Sequence, residues 1–344
     1  MKKILSIVIP VYNVEKYIGR CLDSLLIAQE QFELLDIVII NDGTKDNSAI
    51  IAKEYEKKYP EIIRVIDQEN RGHGGAWNHG TELAVGKYLF YLDSDDWVNT
   101  DQFNQLVVKL RSNDTDLVFI NSQKYYATTD SYSKHNIINI IPNEIYDLDV
   151  FDWLHTPQIP NATYIMHCIY KTELLKPHLP IFLEKVRYDD IILEGLPILV
   201  SRTFVYYDLC VYNYYIGRIG QSFDPKVRAK NFDDVTKVLK SAIEFVKMNI
   251  PKTTSKRCEF GRDLYESFIK CHYFEIANEP ISYSKKHLIE WDAYVRENHN
   301  EVELDKLMKH YRRLPFFVFI VCFKIKRYYT RGLRWLKKYT KINR

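Results

Sequence analysis

None of the six cysteines, Cys21, Cys168, Cys210, Cys258, Cys271 and Cys322, stands in a C-x-x-C pair. Their scatter excludes a disulfide framework and a cysteine-built zinc site, and it fits a reducing cytosol. A small-residue cleavage site is also missing near Met1-Lys2-Lys3, which runs through Ile4–Ile9 straight into Pro10, so this stretch is expected to be a first strand and not a signal peptide. The apolar stretch Leu314–Phe323 holds ten residues, Pro315 among them, about half the length that crosses a bilayer. Acidic residues are absent from the tail, where Arg312 to Arg344 carry 11 Lys and Arg and no Asp or Glu. Taking those 11 from the chain's 48 basic residues leaves 37 against 45 acidic in residues 1–311, a net of −8. An acidic body speaks against nucleic acid as a partner, and a basic tail speaks for an anionic surface.

What is present is an alternation. At 344 residues the chain is long for one core, so two domains, or one with a large appendage, are expected. Leu5–Ile9, Asp36–Ile40, Ile62–Ile66, Tyr88–Leu92 and Leu117–Asn121 read as strands. After the first, Val14, Ile18, Cys21, Leu22, Leu25 and Leu26 recur at helical spacing. After the turn Asn41-Asp42-Gly43-Thr44, a second helix buries Ile51, Ala52 and Tyr55 and is capped by Asp46 or Thr44. Gly72–Gly80, with four glycines, reads as a tight turn leading into a short helix at Thr81–Val85. Strands separated by helix-length segments imply parallel β-α-β units, hence an α/β fold with right-handed crossovers.

Polar residues gather at the strand exits. Pro10, Tyr12 and Asn13 follow the first strand, Asp42 the second, Asn70 and Arg71 the third, and Asp93-Ser94-Asp95-Asp96 the fourth. Parallel strands place these exits on one edge, where ligands bind in open α/β sheets. Clustered carboxylates there either hold a hard divalent cation through oxygen or form a solvated turn. The residues alone leave both readings open.

Ser6-Ile7-Val8-Ile9-Pro10-Val11-Tyr12-Asn13, Asn41-Asp42-Gly43-Thr44 and Tyr91-Leu92-Asp93-Ser94-Asp95-Asp96-Trp97, in this order and spacing, resemble the family 2 glycosyltransferases. The likeness covers roughly residues 3–225 and implies a GT-A (Rossmann-like) fold, a nucleotide-activated donor and inversion at the anomeric carbon. It assigns Pro10, Tyr12, Asp42 and Asn70 to the nucleoside, with Asp42 accepting from the base and Tyr12 against the ring face, which favours UDP over a cytidine nucleotide. Asp93-Ser94-Asp95 matches the family's D-x-D motif, placing Asp93 at the ribose or the metal and Asp95 on the metal, Mn²⁺ or Mg²⁺. Arg187-Tyr188-Asp189-Asp190 matches the acidic pair, with Asp190 as general base; read alone, Asp189 is an N-cap and Asp190 a first-turn charge. One departure stands out: Ala76-Trp77-Asn78 replaces the Ala-Arg-Asn that members often carry, so Arg71 or His73 is expected to take the arginine's place. Backbone N–H groups of Gly72, Gly74 and Gly75 are expected to approach the phosphates. Arg218 and Ser222 are expected at the diphosphate; His167 reads either as a satisfied structural group or as a residue near the acceptor, and Trp97 and Trp153 either stack on sugar rings or fill core.

Thr203–Ile216 reads as one or two late strands, and Val227–Asn249, Ser255–Ala277, Ser284–Asn298 and Val302–Tyr311 as helices without a chemical motif. The expected division is a GT-A glycosyltransferase domain at residues 1–225, a helical appendage at 226–311 serving acceptor binding or homo-oligomer formation, and a tail at 312–344. That tail mixes Tyr328, Tyr329, Leu333, Trp335 and Leu336 with basic residues, as an amphipathic helix lying on an anionic membrane does. The whole reads as an inverting, metal-dependent hexosyl- or N-acetylhexosaminyltransferase, peripheral on the cytoplasmic face of the cell membrane. It would move a sugar from a UDP-sugar to a growing surface glycan, lipid-linked or polymeric, as in capsule assembly. The rival reading is a non-catalytic nucleotide-sugar-binding scaffold of a membrane-associated glycan synthesis complex, favoured only by Trp77.

Overall fold

The structure is a computed structural model that describes residues 3–135, 140–153, 156, 165–218, 227, 230–276 and 281–299. Clustering of the chain gives two compact units, Met1–Arg262 and Asp263–Arg344. In the first, four buried apolar runs form parallel strands β1 (Leu5–Val11), β2 (Leu35–Asn41), β3 (Ile63–Asp67) and β4 (Tyr88–Tyr91). Every residue of β1 and β4 is buried, as strands covered by helices on both faces must be. The register runs from Leu5↔Leu35 to Val11↔Asn41 and from Leu5↔Tyr88 to Val8↔Tyr91. Tyr12, Asp42 and Leu92 therefore leave the sheet on one edge.

Helices α1 (Ile18–Ser24), α2 (Ser48–Lys58) and α4 (Thr100–Ser112) flank these strands, with α3 (Gly72–Leu83) between β3 and β4. One apolar cluster joins Leu5, Ile7, Ile9 and Phe90 to Ile18, Leu22, Ala52, Phe103 and Leu106. Around α3, Trp77 packs 4.9 Å from Tyr91 and 5.0 Å from Phe182, ring centre to ring centre.

The expected glycine turn is instead the body of α3. Glycine costs about 1 kcal/mol per residue in a helix relative to alanine, yet here it lets the helix come close to its neighbours. A Cβ on Gly80 would stand 2.2 Å from Val8 Cγ1, and one on Gly74 2.4 Å from the Leu183 carbonyl oxygen. The glycines face protein, and the expectation that Gly74 and Gly75 offer their N–H groups to phosphates is replaced by one of close packing, both being buried.

The fifth expected strand also lies elsewhere. It is β6 (Leu117–Tyr126), separated from β4 by β9 (Cys168–Lys171), which runs antiparallel to both. Strands β5 (Trp97–Val98), β7 (Ser131–His135), β8 (Ile145–Asp147) and β10 (Thr203–Ile216) complete a mixed ten-stranded sheet in the order β3-β2-β1-β4-β9-β6-β10-β5, with β7 on β6 and β8 on β10. The late segment is one strand, parallel to β6 and irregular between Tyr206 and Tyr212.

A helix, Phe232–Asn249, packs against the turn Asp189–Glu194. In the second unit Trp291 is buried against His272 and Tyr273. Residues 300–344, with the expected helix 302–311 and the basic tail, lie outside the described residues. Among the described residues no helix is long and apolar enough to cross a membrane. The Gly80–Val8 approach yields a test: Gly80→Ala overpacks a core residue at a cost of about 1–3 kcal/mol. Thermal unfolding followed by circular dichroism should show a lower midpoint, and an unchanged or raised midpoint would refute the close packing.

Candidate active site

The site is assembled by the loops that leave β1, β2, β3 and β4. Asn13, held at φ 55°, latches the first two: its Oδ1 accepts from Lys45 N–H at 3.0 Å, and its own N–H donates to Thr44 Oγ1 at 2.7 Å. Asp46 accepts from Ser48 N–H at 3.0 Å and so closes the first turn of α2. Beside this latch Tyr12 stands 44% exposed, an aromatic face open at the edge. Pro10 is not in the loop. It pairs with Ile40 inside β1 and is buried.

Asp42 is 2% exposed and turned into the protein. Its Oδ1 accepts from Arg71 N–H and Gln68 Nε2, both at 2.7 Å, and its Oδ2 from Gly72 N–H at 2.9 Å. A carboxylate on one strand exit thereby caps the N-terminus of α3, where unpaired N–H groups and the helix dipole favour a negative charge. Asn70 Nδ2 donates to the Asp42 carbonyl at 2.9 Å. The Arg71 side chain turns away to Glu184, its Nε donating at 3.1 Å.

Asp93, Asp95 and Asp96 separate in role. Asp96 is 1% exposed and accepts from Tyr212 Oη at 2.6 Å and Tyr215 N–H at 2.7 Å, so it is a structural acid pinning the loop to β10. Asp95 pairs with Arg218, Nε to Oδ2 at 3.1 Å. Burial raises its pKa, Arg218 opposes the rise, and Asp93 adds to it. Asp93 keeps 28% of its side-chain surface open.

His73, on the first turn of α3, ties this cluster to the acid pair. Its Nε2 lies 3.0 Å from Asp93 Oδ1 and its Nδ1 3.1 Å from Asp189 Oδ2. Burial works against a charge on the ring, but Asp189 and then Asp93 outweigh it and hold the pKa well above the ordinary histidine value. The imidazolium therefore bridges two carboxylates while 38% of its surface stays open. Trp77, at the arginine position, is 1% exposed and packs against His73 with tilted rings, 3.9 Å between ring centres. It is core, so it no longer argues for a retired enzyme. Of the two expected stand-ins for the arginine, the structure brings His73 to the acids and sends Arg71 to Glu184.

Next to buried Asp189, the Asp190 side chain is exposed to solvent at the start of a 3-10 turn, Asp189–Glu194. Desolvation of the carboxyl by the protein around it, then the Asp189 charge, pushes its pKa up to about 6, with the His73 cation pulling the other way. A carboxylate so placed takes up a proton near neutrality, as a general base must.

His167 and Trp153 both take the structural of their two readings. His167 is 1% exposed, its Nδ1 3.0 Å from the Ile120 carbonyl oxygen and its Nε2 3.3 Å from Ser122 Oγ, a satisfied core histidine. Trp153 packs among Phe119, Phe151 and Phe204 in core. Ser222 lies outside the described residues.

Among the described residues no cluster of three or more metal-ligating side chains occurs. Asp93 and Asp95 offer only hard oxygen donors from two carboxylates, a set that suits Mg²⁺ or Mn²⁺ when a diphosphate completes the shell.

A parallel edge carrying acids, an exposed tyrosine and a facing acid pair on a GT-A fold marks a glycosyltransferase. Residues 6–171, just under half of the chain, match the family model for glycosyl transferase family 2. The glycosyltransferase GlyA of Streptococcus pneumoniae serotype 4 is 28% identical over 224 residues, 62% of this chain and 31% of that protein. The minor teichoic acid biosynthesis protein GgaB of Bacillus subtilis is 36% identical over 102 residues, 30% of this chain and 11% of that one. The chain thus spans less than two thirds of either relative. S. aureus TarS 1-349, solved in complex with UDP-GlcNAc, shares the fold at a TM-score of 0.59 and 19% identity, covering 78% of this chain and 72% of that one.

The raised pKa of Asp190 has a kinetic consequence. Only the carboxylate accepts a proton, so kcat/KM with a given donor and acceptor should fall with unit slope as pH drops below about 6, to about one tenth of its plateau at pH 5. A flat profile between pH 5 and 8 would remove Asp190 from the role.

Proposed function

We propose that this protein is an inverting, metal-dependent transferase that moves a sugar from a UDP-sugar to a hydroxyl of a growing surface glycan. The observation that carries the reading is the His73 bridge, which ties Asp93 of the D-x-D motif to Asp189 of the acid pair. Donor residues on one side and a base on the other are what attack from the face opposite a leaving diphosphate requires.

In this reading Tyr12 lies against the uracil ring. Asp42, already accepting three hydrogen bonds, shapes the uracil pocket and meets a base N–H only through the remaining lone pair of Oδ2. Asn70 and Arg71 border the nucleoside, and Pro10 stiffens the strand beneath it. Asp93 and Asp95 would hold Mn²⁺ or Mg²⁺, which when bound neutralises charge building on the departing diphosphate. Arg218, now on Asp95, is placed to turn to the diphosphate. Asp190 takes the proton from the acceptor hydroxyl as its oxygen attacks the anomeric carbon, and His73 keeps Asp189 fixed beside it. GgaB's assignment to teichoic acid biosynthesis and the UDP-GlcNAc held by TarS support a UDP-sugar and a lipid-linked or polymeric acceptor.

The proposed domains are 1–225 for transfer, 226–311 as appendage and 312–344 as the membrane-surface tail, whose 11 uncompensated basic residues support attachment to the inner face of the cell membrane. Calorimetric titration tests the donor assignment. UDP should bind at least about tenfold more tightly with Mn²⁺ than with EDTA, and Asp95→Asn should abolish the difference. Equal affinity in both buffers would contradict the proposed metal role.

A further inference from the structure

The strand register sets a row of aromatic side chains beside the acid cluster. Tyr132 of β7 is opposite Tyr125 of β6, and Tyr125 is opposite Tyr215 of β10. Trp97 of β5 is paired with Asn213, two residues from Tyr215, and side chains two apart share a sheet face. Ring centres lie 5.0 Å apart for Tyr132–Tyr125, 5.9 Å for Tyr125–Tyr215 and 5.4 Å for Trp97–Tyr125. Tyr17 adds a fifth ring 5.4 Å from Tyr215, and the Arg20 guanidinium sits 3.7 Å from the Trp97 ring centre.

None of these rings is buried. Tyr132 is 54% exposed, and Tyr17, Trp97, Tyr125 and Tyr215 are half-buried. Cross-strand aromatic pairs do stabilise sheets, but a contiguous aromatic patch left open to water marks a binding surface. Polar groups follow it in the next row: Gln123 Nε2 donates to Asn213 Oδ1 at 2.6 Å, with exposed Lys134 opposite Gln123.

Its position indicates the occupant. Trp97 directly follows Asp96, Tyr215 N–H donates to Asp96, and Arg20 donates to the Asp95 carbonyl at 2.9 Å. The row starts at the acid cluster and runs outward over the β6–β7 hairpin. Three of its four members are tyrosines, apolar on the face and polar at the tip, which suits a sugar ring with one C–H face and a rim of hydroxyls better than a hydrocarbon chain. We propose that Trp97, Tyr215, Tyr125 and Tyr132 form a platform for pyranose rings of the acceptor glycan, beyond the unit that receives the new sugar. The proposal rests on the reading of this chain as a glycan-directed transferase.

The test uses the full chain, with cellotetraose, maltotetraose and chitotetraose as probes and UDP with Mn²⁺ titrated separately. At least one tetrasaccharide should bind and shift the Tyr132 signal in ring-¹³C-tyrosine protein, that signal being assigned by its loss in Tyr132→Phe. Tyr132→Ala should weaken binding roughly tenfold and Tyr132→Phe no more than about twofold, since the ring face carries the contact. Absence of binding by all three, or binding without a Tyr132 shift, overturns the platform, as does wild-type affinity in folded Tyr132→Ala. Failure of UDP to bind would instead strike the transferase reading on which it rests.

Discussion

Five carboxylates, Asp93, Asp95, Asp96, Asp189 and Asp190, meet at one end of the sheet, and the site depends on how their repulsion is answered. Like charges held close favour protonation of one another unless cations or donors join them. Asp96 is answered by Tyr212 and a backbone N–H, Asp95 by Arg218, and Asp93 with Asp189 by a single histidine. Asp190 has no such partner on its solvent-facing side, and its pKa is raised to about 6. The charge balance thus leaves one exposed carboxylate primed to accept a proton while its neighbours are fixed.

That histidine stands where it does because of glycine. Gly72 adopts φ 77°, and a Cβ on Gly74 would stand 2.8 Å from Asp189 Oδ2. Only residues without side chains let the segment 182–189 come down on the first turn of α3. Trp77 then fills the space beneath, packed on Tyr91 and Phe182. The tryptophan that looked like a lost donor contact is better understood as the floor under His73.

Much of this was legible in the chain. Buried runs such as Leu5–Ile9 and Tyr88–Leu92 and the polar residues that end them placed four strand exits on one edge, because parallel order follows from strand-helix alternation. The three early motifs carried the family. The insertion of β9 between β4 and β6 was not legible, since Cys168–Lys171 is a four-residue strand whose pairing is decided by contacts distant in sequence. The glycines of α3 misled because propensity is a local quantity and packing is not. Burial of His167 and the inward turn of Asp42 likewise depend on neighbours 45 or more and 26 or more residues away. The aromatic row was hidden because its members come from four strands scattered between residues 97 and 215.

The central claim is that Asp190 is the base of an inverting transfer, and it is tested most directly by Asp190→Asn, which keeps the shape and removes the charge. With donor and acceptor saturating, turnover should fall about 10²- to 10⁴-fold, while UDP affinity stays within about threefold of wild type. Turnover within about threefold of wild type would contradict the account.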